Sequence, residues 1–361
     1  MKGRSIFVHV TRFRLANLGP DSNPQGFVVM KLSALIHLLV ISIVLIVAAC
    51  TAHSQSPPVP QIDGPWWSIA GNPDLGQYTT DGQQPVDFAI WQAADGTWQL
   101  WSCIRHTKGG EKTRLFHSWE GKRLTDTDWT ATGIAMEADP ALGETSGGLQ
   151  APYVFKEDGT YFMFYGDWER ICLATSVDGK KFTRVENDKG QPDLFRGPYM
   201  NTRDAMVFIE NGLYYCYYTG HTANDKSLAI NGNKVLQPFH CAIFCRTSAD
   251  KHNWSDPFIV SAGGSPASKD RWHGGDSECP FVLKRGGFYY LFRNQQYGEA
   301  NLNTQYASRD LHNFGVDDDR FMIGTLPVAA PEIVTHEGQD YIVALKTTLD
   351  GIRIAKLKWA D

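Results

Sequence analysis

Apolar and polar positions alternate in short runs through most of this chain, and one pattern returns five times. Two to four apolar residues lead into a polar turn ending in glycine, and an aromatic-rich apolar run follows. The copies are DFAIWQAADGTWQLW (87–101), QAPYVFKEDGTYFMFY (150–165), RDAMVFIENGLYYCYY (203–218), ECPFVLKRGGFYYLF (278–292) and APEIVTHEGQDYIVA (330–344). Asp-Gly, Asn-Gly, Gly-Gly and Glu-Gly between apolar runs predict hairpins, because glycine takes positive φ without steric cost. The turn glycines Gly96, Gly159, Gly212, Gly287 and Gly338 lie 63, 53, 75 and 51 residues apart. Three copies are followed by a further strand-and-turn segment: 171–185, 241–260 and 304–315. Each repeat therefore supplies about four antiparallel strands, which is the make-up of a propeller blade. The expected fold is all-β, a five-bladed β-propeller over residues 62–361, with the segment carrying Trp66 and Trp67 helping to close the ring. A β-sandwich would also explain short strands, but not equivalent residues at the start of every repeat. No helical periodicity of useful length follows residue 60.

The N-terminal part is patterned differently. From Met30 a lysine and then an unbroken apolar run lead to Val47-Ala48-Ala49-Cys50. This has the n-region and h-region of a secretory signal, and its end resembles a bacterial lipobox, in which the cysteine is lipidated. The expectation is a signal peptide over 30–49, lipidation at Cys50 and a Ser/Pro-rich tether over 50–61. Residues 1–29 carry no apolar run and read as an upstream extension. The protein is thus expected outside the cytoplasm, held to the cell membrane or outer membrane by its lipid alone.

Composition narrows the partners. Of 361 residues, 34 are basic and 39 acidic, a net charge of −5. With no basic excess to neutralise a phosphate backbone, nucleic acid is excluded as an expected partner. A monomer acting on carbohydrate is the expectation. Beyond Cys50 there are six cysteines, 103, 172, 216, 241, 245 and 279. The first three sit in apolar runs and read as buried thiols. Cys241-x-x-x-Cys245 is not a strong metal spacing, so no zinc site is expected and pairing stays open.

The repeat starts carry the candidate chemistry. Asp87, Gln150, Arg203 and Glu278 fall nine residues before their turn glycines, and Asp204 follows Arg203. The first strand of a propeller blade lines the central channel, so these residues converge on one mouth. Carboxylates gathered from separate blades cost folding energy through repulsion and desolvation. Two carboxyl groups flanking an acetal supply the acid-and-base or acid-and-nucleophile pair of glycoside hydrolysis. Glu278 is the candidate acid: Cys279, Pro280 and Phe281 suggest an apolar setting and Asp276 a like charge, both of which raise a carboxyl pKa. Asp87 is expected to stay ionised as nucleophile or base, Asp204 to support the cationic transition state, and Arg203 to hold hydroxyls or tune Asp204.

Arg203-Asp204 together with Glu278-Cys279-Pro280 resembles the RDP and ECP signatures of glycoside hydrolase family 32, the invertase/levanase group. Gln150-Ala151-Pro152 resembles the second-blade segment of family 43, the arabinanase/xylosidase group. The resemblance spans about residues 80–358. It implies a five-bladed propeller with three channel carboxylates: Asp87 as nucleophile, Asp204 as stabiliser and Glu278 as acid/base. The chain departs from family 32 in reading Gln84-Pro85-Val86-Asp87-Phe88 at the nucleophile and Arg203-Asp204-Ala205 at the second signature, and from family 43 in having Tyr153 after Ala-Pro. Some relatives hold a channel calcium; no Asp-x-Asp-x-Asp-Gly loop argues for one here, and no cofactor is expected.

Around this core, Trp272 and His273 read as a loop over the mouth, and Trp168 and His106 as further substrate contacts, with His221 and His240 as weaker candidates. Trp91, Trp98 and Trp101, at strand spacing, read as core. The expected activity is cleavage of a glycosidic bond, a furanoside among the candidates, in a plant or algal oligosaccharide or polysaccharide. The alternatives are a phosphorylase of the same fold, using Arg105, Arg170 and Arg203 to hold phosphate, and a non-catalytic carbohydrate-binding lipoprotein. A protein-binding scaffold propeller fits poorly, since such blades repeat every 40–45 residues.

Overall fold

A computed structural model describes residues 56–198, 202–221, 228–230, 234–236, 241–265 and 277–360. Cys50, Trp272, His273, Asp276 and His240 lie outside the described residues. The chain divides into Met1–Ser56 and Pro57–Asp361, and the second unit is a five-bladed β-propeller. Each blade is a sheet of antiparallel strands that begins at the axis, and in blade three the outer strand Phe258–Ala262 also pairs in parallel with Gly315–Val316. In order, the inner strands are Gln84–Gln92, Leu149–Glu157, Arg203–Glu210, Glu278–Arg285 and Glu332–His336. Their hairpin partners are Trp98–Arg105, Thr160–Asp167, Leu213–His221, Phe288–Gln296 and Gln339–Leu345.

The ring is closed by the N-terminal strand Val59–Gly71. It adds to blade five as the outermost strand, pairing antiparallel with Gly351–Ala360. Trp66 and Trp67 sit in this strand, in the ring-closing position their sequence context suggests. The strand also reaches into the expected tether, because Val59, Pro60 and Gln61 already pair with Ala360, Trp359 and Lys358.

The cores lie between blades rather than within one. One cluster joins Leu100 and Trp101 of blade one to Met163 and Tyr165 of blade two and Val343 and Ile352 of blade five. Others join Phe164 and Leu173 to Cys216 and Phe244, Tyr217 and Ile243 to Val282 and Leu291, and Tyr290 and Phe292 to Ile342 and Ala355. Each blade therefore buries both faces, which is why the middle strands read as continuous apolar runs. Trp91, Trp98 and Trp101 are buried in this packing, as their spacing implies. All six described cysteines are free thiols.

A backbone irregularity repeats around the axis. Asp87, Ala151, Asp204, Cys279 and Ala330 have φ of +36°, +39°, +56°, +44° and +45°. In blades one to four the ladder slips at this point, between Val86/Phe88, Gln150/Tyr153, Arg203/Met206 and Glu278/Phe281. These are bulges, which turn one side chain out of the pleat and re-aim it. They correct the sequence alignment. Blade one has a longer hairpin loop, with Gln92 paired to Trp98, whereas Glu157 pairs with Thr160 and Glu210 with Leu213. Counting back from the glycine therefore misplaces blade one by a residue. Asp87 is equivalent to Ala151, Asp204, Cys279 and Ala330; Val86 is equivalent to Gln150, Arg203, Glu278 and Ala329.

Candidate active site

The bulge residues bring side chains from three blades together. Ligand-type atoms of Asp87, Asp204 and Cys279 all lie within 4.8 Å of one another. The Cys279 thiol donates to Asp87 Oδ1 at 3.3 Å, and the Tyr297 hydroxyl donates to the same oxygen at 3.3 Å. The Cys279 backbone N–H donates to Asp204 Oδ2 at 3.3 Å and to Thr219 Oγ1 at 3.1 Å. Burial first, and then the nearby carboxylates, push the Cys279 thiol well above its ordinary pKa. It stays a protonated donor, so the trio presents two carboxyls and a hydrogen-bond donor rather than three anionic metal ligands.

Asp87 carries the electrostatic cost of the arrangement. Burial and the charge of Asp204 push its carboxyl up to about 6, against opposing pulls from Arg114 and Arg105. It changes charge within the range where a catalytic base is most useful.

Glu278 sits differently from the sequence expectation. Arg203 Nη2 donates to Glu278 Oε1, and the Cys241 thiol donates to the same oxygen at 3.8 Å. The immediate partner of Glu278 is thus a guanidinium, not an apolar wall. Arg203 also approaches Asp204, its Nε lying 3.6 Å from Oδ2. Burial opposes the Arg203 charge, but Glu278 and Asp204 outweigh it and hold its pKa well above the ordinary value. The neighbouring blade helps to seat this residue: a Cβ on Gly166 would lie 3.2 Å from Arg203 Cα.

These groups open into a cavity of about 300 Å³ lined by Asp87, Arg105, Arg114, Gln150, Trp168, Arg203, His221, Glu278 and Tyr297. Asp204 lies beneath it, with Asp87, in a narrower axial space of about 40 Å³. Glu332 of blade five also lines that lower space. Its Oε2 accepts from Ile90 N at 3.2 Å, and burial raises its carboxyl well above the ordinary range. This hydrogen bond links blades five and one under the site.

The expected residues separate clearly. Asp87, Gln150, Trp168, Arg203 and Glu278 line the cavity, as does His221. His106 does not; it is exposed, with Nδ1 3.2 Å from the Gly82 carbonyl. Arg170, a candidate phosphate ligand, is buried and ion-paired with Asp167 at 3.0 Å in blade two. Arg114 and Tyr297 were not legible as site residues. They come from connections outside the repeated inner hairpin, which carry no periodic signal.

No protein-family model and no curated protein sequence matches the chain. Solved structures do. A thermostable family-43 glycoside hydrolase is 17% identical, with a TM-score of 0.55 over 77% of this chain and 90% of that one. An endo-arabinase from Bacteroides thetaiotaomicron is 13% identical, with a TM-score of 0.57 over 76% and 94%. An endo-1,4-beta-xylanase from the same organism is 15% identical, with a TM-score of 0.53 over 78% and 96%. At these identities the likeness is one of architecture, and this chain has the five-bladed propeller fold of family-43 glycoside hydrolases.

Proposed function

We propose that this protein is a glycoside hydrolase whose reaction runs in the axial cavity. The observation that carries the reading is the pair of carboxyls, Asp87 from blade one and Glu278 from blade four, facing one cavity above Asp204. Asp87, ionised above about pH 6, attacks the anomeric carbon or draws the proton from an attacking water. Glu278 protonates the departing oxygen. Asp204 adds negative charge behind the oxocarbenium-like transition state. Arg203, bonded to Glu278 and close to Asp204, orients both carboxyls. Trp168 offers an aromatic surface at the cavity wall. The fold shared with sugar-cleaving enzymes supports the class of reaction, while the sugar and linkage belong to experiment.

The full chain, incubated with aryl glycosides and plant or algal oligosaccharides, is expected to release sugar, with product NMR giving the anomeric outcome. Binding without release would favour a non-catalytic carbohydrate-binding protein. We further propose that the enzyme works outside the cytoplasm, tethered through Cys50. The lipobox-like ending of its apolar segment supports this, and mass spectrometry of the mature N-terminus should find a lipid-modified Cys50.

A further inference from the structure

Two guanidinium groups in the cavity lack the partners that buried or half-buried arginines ordinarily find. Arg105 ends the second strand of blade one, and Arg114 immediately precedes the third, Leu115–Gly121. Arg105 Nε donates to Gln84 Oε1 at 2.9 Å, and among the described residues its four Nη hydrogens have no hydrogen-bond partner. Arg114 Nη1 reaches only the Cys103 sulfur, at 3.9 Å. Burial pushes the Cys103 thiol up to about 11, so it is a neutral, weak acceptor. Among the described residues no carboxylate lies within 4.0 Å of either guanidinium; the site's ion pairs all belong to Arg203. Asp87 feels both arginines through space without ion pairing.

The two cations are held in place rather than trailing in solvent. The loop between them is pinched where Thr107 N and Oγ1 both donate to Thr113 O, at 3.0 Å each. Arg114 N donates to Gly147 O of the neighbouring loop at 3.0 Å. The Arg114 guanidinium lies over the Trp168 ring, 5.1 Å from its centroid, and Lys112 approaches the same ring at 5.0 Å. An independent sign of an absent ligand is Gln150. It is 1% exposed, lines the same cavity, and its Oε1 has no hydrogen-bond partner. The buried Nη1 of Arg203 is likewise unpartnered. Arg105 and Arg114 are thus fixed donors without an anion, next to an acceptor without a donor. A neutral sugar ring supplies hydroxyls, which suit Gln150 but leave two guanidinium charges uncompensated. An oxyanion matches the planar forks.

We propose that the cavity takes an oxyanion between Arg105 and Arg114, alongside the sugar that Gln150 and Trp168 contact. The oxyanion is a carboxylate or sulfate carried by the sugar, or a free phosphate that replaces water as the attacking group. In the second case a phosphate oxygen bonds to the anomeric carbon as the glycosidic C–O bond breaks, the leaving oxygen takes a proton, and the product is a glycosyl phosphate. The proposal rests on the glycosidase reading only in placing a sugar here.

Titration calorimetry on the full chain separates the two. Glucuronate, galacturonate, a sulfated monosaccharide and inorganic phosphate are compared with xylose, arabinose and glucose, in wild type, Arg114→Gln and Arg105→Gln. At least one oxyanion is expected to bind about tenfold or more tightly than the neutral sugars, with that preference lost in both variants and partly kept in Arg114→Lys. Preference for an acidic sugar identifies a sugar-borne anion. Phosphate binding together with phosphate-dependent glycosyl phosphate formation identifies the free one. Equal binding of neutral and anionic probes, or a preference unchanged in both variants, overturns the proposal. Hydrolysis of neutral glycosides by a wild-type protein that shows no preference for any anionic probe would overturn the oxyanion and leave the hydrolase standing. Arginine-dependent anion binding without any turnover would leave the oxyanion and remove the hydrolase.

Discussion

Blades three and two meet the axis with the same backbone and opposite chemistry. Both inner strands bulge at a residue with positive φ, Asp204 in one and Ala151 in the other. Blade three uses the re-aimed position for a carboxylate and the residue before it for Arg203; blade two has Ala151 and Gln150. Blade five is plainer still, with Ala329 and Ala330. The strained turn therefore belongs to the propeller's inner rim, and its presence does not mark a functional residue. What marks one is an acidic or cationic side chain placed there against its own desolvation cost. Asp87 shows that cost in its carboxyl, pushed up to about 6 by burial and by Asp204.

Substitutions can break this contrast from the acidic side first. Asp87→Asn should reduce turnover by about 10²–10⁴-fold in steady-state assays, without loss of the folded far-UV spectrum. An unchanged rate would show that blade one's carboxyl is not chemically engaged. The same variant should be more stable than wild type at pH 7, by on the order of 2 kcal/mol in urea unfolding. The sign follows from the raised folded-state pKa. The folded protein binds the Asp87 proton more tightly than the unfolded chain, so this contribution is full below the unfolded value near 3.8 and is lost as pH rises to about 6. Asparagine, which cannot ionise, escapes the loss, and the stability gap between variant and wild type should close near pH 4.

Asp204→Asn sharpens the comparison at the neighbouring carboxyl. Removing a like charge lowers the pKa of Asp87, so the acid limb of kcat/KM, expected near pH 6, should move down by about one pH unit in whatever activity survives. A limb that stays put would dissociate the two aspartates. The smallest effect belongs to the silent blade. Ala151→Gly, at φ +39°, should stabilise by about 0.5 kcal/mol because glycine takes this conformation without strain. Ala89→Gly, inside the regular part of a blade-one strand, should destabilise by about 1 kcal/mol or more.

Much of the architecture was legible because a propeller writes its period into the sequence. Turn glycines flanked by apolar runs mark each inner hairpin, and their spacing sets the blade count. The register was not fully legible, because a longer turn in blade one shifts Asp87 by one place against its counterparts, and only the ladder reveals it. The grouping of Asp87, Arg203, Asp204 and Glu278 at one mouth follows from topology and could be anticipated. The Arg203–Glu278 bond could not: it joins residues 75 positions apart whose side-chain directions depend on bulge geometry. Cys279 read as an apolar neighbour of Glu278, yet the bulge turns it toward Asp87. Arg114 and Tyr297 were hidden for a related reason, since non-repeating connections have no equivalent positions to compare.

The most direct test of the catalytic pairing is a leaving-group comparison in Glu278→Gln. If Glu278 protonates the departing oxygen across the cavity from Asp87, the variant should lose about 10²-fold or more on a glycoside with a poor leaving group and less than about tenfold on a dinitrophenyl glycoside, whose oxygen departs without a proton. Equal losses on both substrates would contradict that role for Glu278 and, with it, the assignment of acid and base to the two blades.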